Sequence, residues 1–203
     1  MGRELAPGRV DNAFTGRNIG PMLEALEYRP LQWPGHGVDP NRSYQYLDRE
    51  FMKPEEYDHF LSDMTDFMVR VYWPRVFGAL TPFGTLPPLS ENISYIVGLF
   101  NWSAFGSPEM EIALESLLAA AREARKTLTA GRAYVEEMKR LGFPMVSGGL
   151  TLTPFDCFSN FFRGTRGTMM DMYRHPKQLE QVLDRLLPMM IRIGVRAAKG
   201  SGI

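Results

Sequence analysis

Apolar positions at helical spacing dominate this chain. They predict a short helix over 20–27 that begins with Pro21, and two further helices between Glu50 and Leu80, the second capped by Asp63 or Thr65. The longest stripe begins at Ser107-Pro108 and ends at Leu141, where Gly142 provides a stop. A last helical pattern covers residues 176–199.

Other stretches lack that period. Residues 1–19 contain three Gly-Arg pairs and predict a loop or arm, and residues 28–46 also predict a loop. The apolar run from Ile93 to Phe100 is compatible with a strand or a buried helix, which periodicity does not distinguish. The Gly-rich apolar run from Phe143 to Leu152 predicts a strand that ends at Thr153-Pro154, where the next helix begins.

These elements predict a single α/β domain over residues 1–203. Its parts are an arm over 1–19, a mainly helical region over 20–141 and a strand-helix-helix unit over 142–203. A chain of 203 residues with 44% hydrophobic content is large enough to bury a substantial core.

Composition narrows the class of partner. Lys and Arg together number 23, as do Asp and Glu, so the basic excess typical of nucleic-acid binders is missing and a small-molecule ligand is expected. The single cysteine, Cys157, excludes an intrachain disulfide framework and fits a reducing compartment. No apolar run approaches the roughly 18 residues of a spanning helix, so we expect a cytoplasmic protein without membrane partners.

Polar residues cluster where the predicted strand meets its helix. Thr153 suits the N-cap, Asp156 lies in the first helical turn, Asn160 follows one turn later, and Arg163 comes next on a similar face. Ligands of parallel α/β folds bind at the carboxyl ends of strands, so these side chains are candidate ligand contacts. The alternative is structural: Asp156 as a carboxylate that favours the helix dipole, and Arg163 as a C-terminal charge.

Two loops add candidates. Arg163-Gly164-Thr165-Arg166-Gly167 places two guanidinium groups beside two glycines, a combination that suits an anion, although a solvated turn explains it equally well. Trp33-Pro34-Gly35-His36-Gly37 predicts a turn that carries His36 as a pocket candidate, although a single loop histidine is more often a surface or packing residue.

An ordered set of motifs resembles a known family. It comprises Trp33-Pro34-Gly35-His36-Gly37, the segment 51–58, Gly148-Gly149 followed by Pro154-Phe155-Asp156, Phe162-Arg163-Gly164, and Asp171-Met172-Tyr173 followed by Pro176. Together they resemble the middle of the uroporphyrinogen decarboxylase superfamily, in its anaerobic, corrinoid methyltransferase-like branch, over most of residues 20–198. The resemblance implies a (β/α)8 barrel, which typically needs about 250 residues. We therefore expect a helix-rich partial barrel that lacks its first strand and C-terminal half.

The resemblance also implies a substrate class. Members decarboxylate a tetrapyrrole without a cofactor, or transfer a methyl group to or from a corrinoid protein. It implies Arg163 and Arg166 as carboxylate ligands and Asp156 and Asn160 as hydrogen-bonding groups.

Departures from the family leave its two reactions open. Asn160 stands where the decarboxylases carry a titratable tyrosine, and their first-strand Arg and second-strand Asp would precede residue 1. The His-x-Cys zinc ligands of the methyltransferases have no counterpart in this sequence. No catalytic residue is assigned, no metal ligand is assigned, and corrinoid and zinc are expected only of the full-length parent, if it is a methyltransferase.

A second interpretation comes from another functional class. The chain would be a catalytically inactive, truncated barrel that acts as an association module, either as a homodimer or with a complementing chain. An exposed apolar surface on the folded chain would support this interpretation.

Overall fold

Helices dominate the structure, together with a small mixed sheet. The computed structural model of the chain describes residues 19–96, 98–142 and 150–200. Helices α1 to α9 span Gly20–Leu26, Tyr57–Ser62, Met64–Phe67, Trp73–Val76, Leu99–Ser103, Pro108–Arg140, Pro154–Phe158, Gly164–Arg174 and Pro176–Gly200. The fold is thus α/β in a coarse sense only, since the sheet is confined to one short region.

The sheet lies within residues that the sequence predicted as loop, so that prediction was wrong. Strands β1 (Leu31–Pro34), β2 (Gly37–Val38) and β3 (Gln45–Tyr46) are ordered β2-β1-β3. β1 pairs with β2 in parallel and with β3 in antiparallel fashion. Strands of two to four residues are too short to show alternation, and this explains the error.

Predicted helix caps are confirmed where they depend on local chemistry. The Ser107 hydroxyl accepts a hydrogen bond from the amide of Met110 at 3.2 Å, and α6 ends before Gly142, which has φ of +84°. The Asp63 carboxylate likewise accepts from the Asp66 amide at 2.9 Å and caps α3. Each side chain satisfies a backbone donor that the first helical turn leaves free.

Helix α3 passes into α4 through a π-helical turn over Met68–Tyr72. The turn ends two residues before Pro74, which has no amide hydrogen to donate to the preceding turn. The widened turn lets the chain stay helical as far as Val76.

The strand predicted over 143–152 has no support in the described residues. Residues 143–149 lie outside them, and 150–153 belong to no strand. The Thr151 hydroxyl donates to the Met190 carbonyl at 3.0 Å, so this segment is attached to α9 rather than to a sheet. The helix predicted after it is confirmed, because Thr153 Oγ1 accepts from the Asp156 amide at 3.1 Å.

Among the described residues, two apolar clusters form the core. The larger joins α2, the α3–α4 region, α7 and α9, and its buried members are Phe51, Met52, Tyr57, Phe60, Phe67, Tyr72, Val76, Cys157, Phe158, Phe162, Leu179, Val182, Leu186 and Met190. The smaller lies beneath α1 and α6, and its members are Leu26, Leu80, Phe83, Leu86, Met110, Ala113 and Ala120.

The apolar run over 93–100 is neither a strand nor a buried helix in its described residues. The chain is irregular before α5 begins at Leu99, and the side chains of Tyr95 and Phe100 are 83% and 82% exposed. The prediction assumed that an apolar run must be covered within the same chain.

Candidate functional site

An open groove of about 460 Å³ lies between residues 48–54 and the start of α8. Its lining residues are Asp48, Arg49, Glu50, Pro54, Arg163, Gly164, Arg166, Gly167, Met170 and Arg174. Four guanidinium groups outnumber two carboxylates there. The balance of charge favours an anionic ligand.

Arg163 forms the base of this groove and is almost completely buried. Its Nε lies 2.6 Å from Asp171 Oδ2, and its second terminal nitrogen lies 3.1 Å from Asp171 Oδ1. Its first terminal nitrogen donates to the Met52 carbonyl at 2.7 Å and to the Glu50 carboxylate. Four N–H donors of Arg163 are thus already paired within the protein. Arg163 therefore stabilises the groove and is not free to bind a ligand.

A buried tyrosine completes the Arg163–Asp171 pair. The Tyr57 hydroxyl donates to Asp171 Oδ2 at 2.7 Å. Burial raises the pKa of Asp171, but the hydrogen bonds from Arg163 and Tyr57 outweigh it and the pKa lies below its ordinary value. Burial, followed by the hydrogen bond to Asp171, raises the pKa of Tyr57. At neutral pH the network therefore contains a carboxylate, a guanidinium and a protonated phenol.

The two glycines of the motif serve the packing of the chain itself. Gly164 has φ of +67°, and a Cβ there would lie 3.2 Å from Asp48 Oδ1. A Cβ at Gly167 would lie 3.3 Å from Cζ of Arg163. The sequence indicated that these glycines could let a ligand approach the backbone, with a solvated turn as the alternative. In the structure they let residues 48 and 49 and the Arg163 guanidinium come close to the backbone.

Residues 48–52 are tied to the start of α8 by backbone hydrogen bonds as well. The Phe162 carbonyl accepts from the amides of both Phe51 and Met52 at 2.8 Å. The Thr165 amide donates to Asp48 Oδ1 at 3.0 Å. Because Asp48 already occupies this amide, a bound anion would meet guanidinium groups rather than the end of the helix.

Three arginines of the groove stay exposed. They are Arg49, Arg166 and Arg174, and no ion pair between described residues involves them. Guanidinium forks bind carboxylates and phosphates through paired hydrogen bonds. These three side chains are the ones available to a ligand.

The groove brings together two of the predicted site residues, Arg163 and Arg166. Asp156 is exposed in the first turn of α7, and neither it nor Asn160 lines the groove. The backbone carbonyl of Asn160 accepts a hydrogen bond from the Tyr46 hydroxyl. The predicted polar stripe thus does not converge on this groove.

His36 lies at a separate cavity of about 510 Å³, lined by Leu23, Glu24, Glu27, Tyr28, Leu31, Trp33 and His36. Its ring stacks on Trp33 with 4.9 Å between centroids, and its Nε2 lies 3.0 Å from Glu24 Oε1. With these two contacts, His36 acts as a packing residue of the turn over residues 33–37. His36 and the arginine groove share no lining residue.

Sequence reasoning missed most of the groove. Arg174 lies at helical spacing from Gly167 and Met170 within α8, so periodicity from the Arg163–Gly167 loop onward could have identified it. Asp48, Arg49 and Glu50 carry no local signal, because they reach the site only through long-range contacts.

The single cysteine is not an activated nucleophile. Burial raises the pKa of the Cys157 thiol, which therefore stays protonated at neutral pH. Across the described ranges, no group of three or more His, Cys, Asp or Glu side chains is placed to hold a metal ion. No helix in the described part of the chain combines the length and apolar content needed to cross a bilayer.

Comparisons with protein-family models, curated proteins and solved structures give no match to this chain.

Proposed function

We propose that this chain is the central part of a uroporphyrinogen decarboxylase-superfamily enzyme, built on part of a (β/α)8 barrel, that binds a tetrapyrrole or corrinoid-linked substrate. One observation carries the proposal: Arg163 and Gly164, which belong to one of the motifs that carry the resemblance, line the groove together with Arg166. The order of the motifs supports the barrel, whereas the short sheet at 31–46 adds no support to it.

The substrate's carboxylates would be bound by the exposed guanidinium groups of Arg49, Arg166 and Arg174. Several arginines around one cavity suit a ligand that carries several carboxylates, as tetrapyrroles do. A volume of about 460 Å³ is within the range of small-molecule sites. Arg163 acts as a positioning residue, because its donors are taken by Asp171, Glu50 and Met52.

The groove supplies binding and orientation rather than proton transfer. Its two carboxylates are committed, Glu50 to Arg163 and Asp48 to the Thr165 amide. The zinc that the resemblance implies for methyltransferases finds no matching set of ligands among the described residues. Decarboxylation and methyl transfer both remain compatible with a site that holds carboxylates.

The direct test is a binding titration under anaerobic conditions with uroporphyrinogen and, separately, with a cobalamin. We expect saturable binding of one ligand and a loss of roughly 10- to 100-fold in affinity in Arg166→Gln, since a hydrogen-bonded charge pair is removed. Arg192→Gln is the control, because Arg192 is exposed on α9 away from the groove. No saturable binding of either ligand, or equal losses in both variants, would contradict the proposal.

One observation favours a second function, that of an association module. The apolar side chains around α5 are solvent-exposed and have no cover within the described chain. Exposed apolar surface of this kind marks interaction sites. If this function holds, the purified chain associates in solution even when it binds neither ligand.

A further inference from the structure

The segment around α5 exposes an unusual amount of apolar surface. We define the α5 surface by its six exposed apolar side chains, which are Ile93 (85% exposed), Tyr95 (83%), Ile96 (69%), Leu99 (63%), Phe100 (82%) and Trp102 (55%). A buried aromatic residue covers roughly 150–250 Å². The three aromatic residues alone therefore rival the largest apolar patch of a typical monomer, about 300–600 Å².

The segment holds its own shape. The Gly98 amide donates to the Ser94 carbonyl and the Trp102 amide to the Gly98 carbonyl, both at 2.8 Å. Trp102 also packs on Phe105 with 5.8 Å between ring centroids. A surface that is ordered before association loses less conformational entropy on binding.

Charge narrows the choice of partner. Residues 92–108 contain no charged side chain, and no Lys or Arg occurs between Arg75 and Arg122. An anionic membrane or a nucleic acid needs cations at the contact, and residues 92–108 supply none. The nearest charged residues along the chain are the acidic Glu91 and Glu109, so attraction between opposite charges within this segment does not select the partner.

We infer that the α5 surface pairs with the same surface of a second copy of this chain, in a two-fold homodimer. A two-fold contact places identical residues on both sides, so an uncharged apolar face meets another uncharged apolar face. Together the six side chains offer roughly the 800 Å² per partner of a standard interface. The inference deepens the proposed association function by naming its surface and its partner.

The test is the mass of the protein in solution, measured by sedimentation equilibrium over a range of concentrations. Wild type should be a dimer, and Ile96→Ser/Phe100→Ser should raise the dimer dissociation constant roughly a hundredfold or more, because each change acts twice in a two-fold contact. Tyr173→Ser/Ile191→Ser is the matched control, with 85% and 56% exposure on α8 and α9. The control should remain dimeric, and circular dichroism should show both variants folded.

The possible outcomes distinguish the α5 surface, the association function and lipid binding. Added salt should leave the dimer unchanged or strengthen it, since the contact is apolar and its nearest charges are acidic. A dimer that survives Ile96→Ser/Phe100→Ser refutes this surface and leaves the association function standing. A wild-type monomer at every concentration refutes both, and a monomer that co-sediments with phosphatidylcholine vesicles assigns the surface to lipid instead.

Discussion

Replacing Asp171 by Asn should destabilise the protein strongly, although the two side chains have nearly the same shape. Asp171 accepts three hydrogen bonds, two from Arg163 and one from Tyr57, at 2.6, 3.1 and 2.7 Å. An amide offers only one acceptor oxygen, so at least one donor would face the NH₂ group. The change also removes the negative charge that compensates the buried guanidinium of Arg163.

The expected loss follows from the burial of the pair. The Arg163 and Asp171 side chains are 3% and 2% exposed, so solvent cannot replace the lost partner. Removing one member of a buried ion pair typically costs about 3–5 kcal/mol. Because Asn keeps one acceptor and Glu50 still contacts Arg163, we expect a loss at the lower end, about 3 kcal/mol.

Urea unfolding monitored by circular dichroism measures this loss directly. The midpoint should fall while the slope stays unchanged, since the folded state remains equally compact. Glu137→Gln is the control, because Glu137 pairs with Arg140 on the exposed face of α6, and it should leave the midpoint almost unchanged. A loss below about 1 kcal/mol in Asp171→Asn would refute the view that this pair holds the groove together.

Three further predictions concern stability. Gly164→Ala should lower the free energy of unfolding in urea by about 2 kcal/mol, because φ of +67° with ψ of 158° suits only glycine. Gly106→Ala is the control, since a Cβ there meets nothing within 4 Å, and it should change little; equal effects of the two changes would contradict this reasoning. Ser107→Ala should cost about 1 kcal/mol by removing the cap of α6, and an unchanged midpoint would show that the hydrogen bond to Met110 adds nothing. The pKa of Asp171 is lowered in the folded state, so it binds a proton more weakly there than in the unfolded chain. The stability that the Asp171 carboxylate contributes is therefore complete above about pH 4 and is lost as the pH falls through the lower pKa of the folded state. Below about pH 4, the urea midpoint of Asp171→Asn should fall less steeply than that of wild type. Parallel curves would contradict this prediction.

Features set by neighbouring residues were predictable from the sequence. Thr153, Ser107 and Asp63 each cap a helix through an amide three residues ahead, and this spacing is visible without any knowledge of the fold. The long helix α6 was equally clear from its apolar stripe and the glycine stop at Gly142.

Features that depend on distant contacts were not predictable. Arg163 was predicted as a ligand contact because a guanidinium fork suits anions, with a structural charge as the alternative, but Asp171 and the carbonyl of Met52 supply partners that allow its burial. Asp171 lies eight residues further along, beyond a helix break at Gly164, so a search at the spacing of one helical turn misses the pair. Met52 reaches Arg163 across more than a hundred residues.

The strand predicted before Thr153 illustrates a different limit. An apolar, Gly-rich run is compatible with a strand, but only a neighbouring strand makes it one. In the described part of this run, Thr151 is bonded to Met190 of α9 instead. Likewise, the apolar run around α5 could not reveal that its side chains would remain exposed.

Hydrogen exchange of the backbone amides, with and without uroporphyrinogen, tests the central claim most directly. A ligand held by Arg49, Arg166 and Arg174 should slow exchange in peptides that cover residues 48–54 and 163–174, and leave residues 108–140 unchanged. Protection confined to residues 154–160, or no protection at concentrations that saturate binding, would place the ligand elsewhere and contradict the arginine groove as its site.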